Sequence, residues 1–184
     1  MADFTIEGRM KNLPDIQKTW MWQLWIPTIA DLLDGYDQKD ILLRARTAVI
    51  PGRGNEVMTS EFMGMKQFFP GKPTFTNTMS VTLEETEDQL VTKLLYEWRQ
   101  QIFNIEPGIN GGGANPTKVT KRQLTRDIVL RMFKYNKDPL KKQIKFVNAW
   151  PTNVEDVTLA YSGAEQVIYN VTFQYDFWEM ITGD

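Results

Sequence analysis

Neither cysteine nor histidine occurs among the 184 residues. The first absence excludes disulfides, thiolate nucleophiles and Cys-ligated metals. The second excludes Ser-His-Asp and Cys-His arrangements, His-bound zinc and the usual neutral-pH general base. Any catalysis would have to run on carboxylates, Lys or Tyr. No apolar run approaches the length of a membrane span. The first residues, Met1 to Lys18, scatter Asp3, Glu7, Arg9 and Lys11 where a signal peptide needs a continuous apolar stretch. The expectation is a protein without a membrane anchor, made and folded in the cytoplasm. Neither sign of charge is in large excess: 21 Lys and Arg face 23 Asp and Glu, a net charge of −2. That balance argues against a protein whose task is to grip phosphates.

What the chain does have is an ordinary globular composition, 42% hydrophobic and 24% charged. A domain of this size buries roughly 70% of its unfolded surface, enough for a core without covalent staples. We expect one domain over 1–184, with its core at about 18–180, an N-terminal arm at 1–17 and long loops at 51–73 and 105–120.

Period-two alternation is clearest over Thr74 to Leu83, where Phe75, Asn77, Met79, Val81 and Leu83 interleave with Thr74, Thr76, Thr78, Ser80 and Thr82. One side of this strand is mostly apolar and the other is hydroxyl. A second, longer strand is predicted from Val167 to Trp178, its polar side carrying Asn170, Thr172, Gln174 and Asp176. Weaker alternation marks 20–26, 41–50, 126–135 and 142–150, and the turn chemistry of Tyr135 to Pro139 makes the last two a hairpin. Leu90, Val91, Leu94, Leu95, Trp98, Ile102 and Phe103 recur at helical spacing, predicting one helix over 86–104. Thr86 with Gln89 reads as its capping box, and Glu87 and Asp88 as first-turn charges. The segment 51–73 reads as an irregular loop around an apolar middle, and the glycine-rich 105–120 stretch as another loop. The sum is a mainly β protein, an antiparallel sandwich or barrel with one flanking α-helix.

Each candidate motif has a plainer reading. Glu84, Glu85, Glu87 and Asp88 sit at a strand-to-helix junction, where acids serve the helix start rather than acid/base catalysis. The glycines at 111–113 lack the Lys-Ser or Lys-Thr of a phosphate cradle. Lys118, Lys121, Arg122, Arg126, Lys141, Lys142 and Lys145 fit solvated faces better than a nucleic-acid patch. Asn170-Val171-Thr172 is a glycosylation sequon placed inside a strand. Trp20 and Trp22 share the core side with Leu24 and Ile26, leaving Trp25 for an intersubunit contact. A carbohydrate-binding β-sandwich would use such aromatic residues as a platform. It is the competing reading from a different class.

The C-terminal part reads Trp150-Pro151-Thr152-Asn153, then an acidic turn, then a final pair of strands with Asp176-Phe177-Trp178. This resembles the end of tail-tube proteins from contractile-tailed phages, and the order of elements is similar over roughly 18–180. The resemblance implies a subunit without cofactor or enzymatic activity. Six copies would make a ring, and rings would stack inside a sheath into a rigid tube within the virion. The implied partners are further copies of itself, the sheath, the baseplate and terminator proteins, and viral DNA in transit without specific binding. Tubes of type VI secretion and phage-derived injection machines share the fold and form the alternative. In this setting the stripe Thr74, Thr76, Thr78, Ser80 and Thr82, or Asn170, Thr172, Gln174 and Asp176, is expected to line the lumen. Phe62, Met63, Met65, Phe68 and Phe69 are expected to pack on the neighbouring ring. In that family the Trp-Pro-Thr-Asn stretch is a turn ahead of the last hairpin.

Overall fold

The structure is a computed structural model and describes residues 17–27, 41, 43–104, 109–110, 121–134, 140, 142–159 and 166–182. The N-terminal arm to residue 16, most of the 105–120 loop and the 135–139 turn lie outside these residues.

Among the described residues eleven strands and two helices follow in chain order. The strands are β1 (Trp22–Trp25), β2 (Ala45–Ala48), β3 (Arg53–Phe62), β4 (Met65–Phe75), β5 (Thr78–Glu84), β6 (Phe103–Asn104), β7 (Ile109–Asn110), β8 (Arg126–Met132), β9 (Lys142–Val154), β10 (Ile168–Gln174) and β11 (Phe177–Thr182). The helices are α1 (Leu90–Ile102) and α2 (Lys121–Leu124). The main sheet runs β1-β8-β9-β10-β5-β2, with β11 also on β9, and every pairing is antiparallel.

The long strand β9 joins two layers. Its first part pairs with β8 on one side and β11 on the other, and from Trp150 onward it pairs with β10. Asn148, at the switch, has φ 54°, a left-handed conformation that Asn tolerates better than most side chains. The strand turns a corner there, as strands that pass between the layers of a sandwich do.

Four expectations are corrected by this arrangement. The Trp150-Pro151-Thr152-Asn153 stretch is strand rather than turn, with Trp150, Pro151, Asn153 and Val154 all in register with β10. The register slips between Thr172 and Phe173, so Thr152 is the extra residue of a bulge beside Pro151, which has no N–H for the ladder. The strand predicted over Thr74 to Leu83 breaks at Asn77, with φ 52°, so Thr74 ends in β4 and Thr78 starts β5. The strand predicted through Trp178 also breaks, at Tyr175 and Asp176, where Asp176 N donates to Val147 O at 3.1 Å and turns the chain onto β9. The segment 51–73 is no irregular loop: most of it forms the paired strands β3 and β4.

The core lies between the inner sheet faces and α1. It holds Leu24, Met79, Val81, Leu83, Ile128, Leu130, Phe146, Val171 and Phe173 from the strands and Leu90, Val91, Leu94, Leu95 and Trp98 from the helix. Trp98 packs its ring 5.8 Å from that of Phe173 and donates its indole N–H to Leu124 O at 3.0 Å, tying α1 to both sheet and α2. Trp22 is partly buried against this core as expected, whereas Trp20 is exposed.

The helix begins later than its sequence suggests. Gln89 has φ 53° and helical structure starts at Leu90, so the predicted capping box is not formed. Glu85 supplies the cap instead. Its carboxylate accepts from Val91 N at 3.2 Å, Thr92 N at 2.7 Å and Thr92 Oγ1 at 2.6 Å, and Asp88 accepts from Leu90 N. Glu85 and Asp88 therefore serve the unpaired first-turn N–H groups, while Glu87 and Asp88 themselves precede the helix rather than standing in its first turn.

Candidate assembly surfaces

The two polar stripes read from the sequence meet on one sheet face. Antiparallel pairing sets Thr78 opposite Gln174, Ser80 opposite Thr172 and Thr82 opposite Asn170. The intervening Met79, Val81, Val171 and Phe173 point the other way into the core. Thr47 of β2 extends the row beyond Thr82, and Asn153 of β9 extends it beyond Thr172. Side chains link across the strands: Thr47 Oγ1 donates to Thr82 Oγ1 at 2.6 Å, Thr82 Oγ1 to Asn170 Oδ1 at 3.1 Å, and Asn170 Nδ2 to Glu155 Oε2 at 2.8 Å. Among the described residues the centre of this face carries hydroxyls and amides and no cation. At its rim, Arg46 is held by Glu84.

Three predicted stripe residues lie elsewhere. Thr74 sits on β4 opposite Gly54, Thr76 lies in the break before β5, and Asp176 is in the turn at the corner. There Asp176 accepts from Asn148 Nδ2 at 2.8 Å and is paired with Lys121. These two donors hold its carboxyl below the usual range. Asp127 Oδ1 accepts from Asn148 N at 3.1 Å, and Asp127 is itself paired with Lys145 at 2.8 Å. The predicted basic cluster is thus partly consumed by the corner's own carboxylates.

The β3–β4 hairpin is a second surface. Every β3 residue is exposed, as is every β4 residue except Gly71. A ladder with no buried face cannot be held by packing within its own chain. Its apolar tip shows Phe62 at 72%, Met63 at 87%, Met65 at 74% and Phe68 at 69% exposure, with Phe69 at 45%. Met63 and Gly64, both at positive φ, make the two-residue turn. The root is anchored: the Arg53 guanidinium lies 3.7 Å from the Trp178 ring centre and 5.8 Å from that of Phe75, and donates to Trp178 O. Trp178, noted in the sequence only as part of a motif, is the seat of this anchor. Arg53 was missed because its partner lies 125 residues away.

A hairpin with neither face buried is a surface of the kind that other chains cover. The family model of the phage tail tube protein matches residues 17–181. The chain belongs to that family. Its role is that of a tube subunit.

Solved structures agree on the fold. A chain of the structure of an extracellular contractile injection system, the PVC sheath/tube terminator in extended state, is 10% identical with TM-score 0.60, covering 91% of this chain and 98% of that one. A chain of the structure of the anti-feeding prophage cap is 12% identical with TM-score 0.59, covering 93% and 94%. A chain of the PVC sheath-tube complex is 11% identical with TM-score 0.57, covering 98% and 100%. No curated protein matches. Among the described residues of the tube protein, no helix is long and apolar enough to cross a membrane.

Proposed function

We propose that this tube protein forms rings of six copies that stack into the hollow tube of a contractile phage tail, and that its hydroxyl and amide face lines the lumen through which DNA passes. The observation that carries the reading is the joined stripe of Thr47, Thr78, Ser80, Thr82, Asn153, Asn170, Thr172 and Gln174. It is polar, hydrogen-bonded within itself and, among the described residues, free of cations at its centre. DNA affinity comes from Lys and Arg displacing counterions, so such a wall would let a polyanion slide. Sheath, baseplate and terminator proteins are the partners this role requires. A sheath contracting around the tube would drive it through the host envelope.

Among the described residues β1, β2 and β11 each pair along one side only, and their other sides are where neighbouring subunits of a ring would join their sheets. The hairpin tip, with Phe62, Met63, Met65, Phe68 and Phe69, would pack on the adjoining ring. An injection-machine tube is the second reading, favoured by similarity to the PVC and anti-feeding prophage structures.

The absence of cysteine allows a direct test of the lumen. Ser80→Cys introduces a unique thiol on the stripe. In assembled tubes it should react with a small maleimide and be shielded from a bulky polymer-coupled one. Equal reaction with both would place the stripe outside and contradict the reading.

A further inference from the structure

The strands β5, β9 and β10 run between two ends of the subunit, and those ends differ in charge. One end gathers Glu84 to Asp88, where β5 leads into α1, and Glu155 and Asp156, which follow β9. The other gathers Lys121, Arg122 and Arg126 around the Asn148 corner. About 20 Å of strand separates them at the ordinary rise per residue, so they cannot meet within one chain.

Internal partners account for only part of this charge. At the acidic end Asp88 is paired with Arg44 at 2.5 Å, Glu84 with Arg46, and Glu85 is spent on the helix cap. Glu87 and Asp156 are exposed, and the Glu155 carboxylate accepts from the neutral Asn170 amide. At the basic end Lys121 is matched by Asp176 and Lys145 by Asp127. Arg122 is exposed. Arg126 donates Nη1 to the carbonyls of Gln123 and Thr125 at 2.7 and 2.9 Å, and its buried Nε has no partner. A buried guanidinium N–H without an acceptor is costly unless something supplies one.

Arg122 and Arg126 line a cleft of about 790 Å³ with Lys121, Thr125 and Asn148. At the acidic end Thr86, Glu87, Asp88 and Gln89 are all exposed on the turn before α1.

We propose that the basic cleft of one copy receives the acidic turn of a second copy, with Glu87 and Asp156 facing Arg122 and Arg126, so that charge fixes the head-to-tail direction in which copies stack. The inference rests on the tube reading and adds to it the surfaces that join and their polarity. An interface of two different patches, repeated without closure, generates a filament, as a stack of rings requires. Charged rims of this kind set register and suppress wrong partners.

The test uses exchange of charge on the full chain. Arg122→Glu and the pair Glu87→Lys with Asp156→Lys should each keep the wild-type circular dichroism spectrum, because these side chains are exposed. Each should raise the concentration needed for tube growth at least ten-fold. Combining all three restores opposite charges between copies of the same variant. This swapped protein should form tubes by itself yet fail to elongate wild-type seeds, because unlike ends then meet with like charge. Normal tube growth by either reversal, or elongation of wild-type seeds by the swapped protein, would overturn the inference while leaving the tube intact. Failure of the swapped protein to assemble, with wild-type tubes forming normally, would overturn it too. A wild-type chain that never assembles, even on seeds, would instead overturn the tube reading and this inference with it.

Discussion

The Asn148 side chain donates to Asp176 Oδ2 at 2.8 Å at the point where β9 leaves one sheet for the other. Asn148 holds a left-handed backbone, its N–H is fixed by Asp127, and Asp176 opens the turn into β11. One residue pair thus ties together the corner, the last strand and, through Lys121, the helix α2. Replacing Asn148 by Val should cost clearly more than replacing it by Gly. Both lose the side-chain bonds, but Val adds backbone strain of roughly 1–3 kcal/mol. Urea denaturation of the two variants measures the difference.

Asp176 also gives a pH signature. Its carboxyl is held low first by Lys121 and then by Asn148, so the stability it contributes is present above 3.8, the ordinary Asp value, and is lost as pH falls through its lower folded-state value. Asp176→Asn should lower stability at neutral pH by about 1 kcal/mol, the usual size for an exposed pair with one good hydrogen bond. The gap between wild type and variant should close on acidification below about pH 3.8. Thermal melts from pH 7 to pH 3 show this; a constant gap would mean the carboxylate charge is irrelevant.

The Glu85 cap predicts that Glu85→Ala costs about 1 kcal/mol by leaving first-turn N–H groups of α1 without their acceptor. Gln89→Ala, which would matter if the capping box existed, should cost less than half as much. A reversed ranking in chemical denaturation would refute the cap described here.

What the sequence discloses depends on how local each determinant is. Periodicity of two placed Met79, Val81 and Leu83 in the core and Thr78, Ser80 and Thr82 outside it, and the 3.6 period found α1, because both are properties of neighbouring residues. Strand ends were misread where the alternation continues through a break. At Asn77 and at Tyr175-Asp176 the side chains keep alternating while the backbone turns. The hairpin at 53–75 was missed because it buries neither face, so no apolar alternation marks it, and its glycines and prolines imitate a loop. The two stripes could each be read singly. Their union depends on the β5 and β10 register, which no local pattern encodes.

The hairpin itself predicts a separation of folding from assembly. Phe68→Ser combined with Phe69→Ser should leave stability within about 0.5 kcal/mol of wild type, as for other exposed sites. Long tubes should be lost. Arg53→Ala should release the hairpin root from Trp178 and speed amide exchange over 53–75 while leaving α1 protected. Unchanged tube length in the first variant would contradict the stacking role of the tip.

The most direct measurement is negative-stain electron microscopy of the purified protein at high concentration, with light scattering for particle mass. Six-fold rings or hollow tubes are expected, forming alone or growing from a preformed tube end. A strict monomer under every condition, even with such a seed present, would contradict the tube assembly.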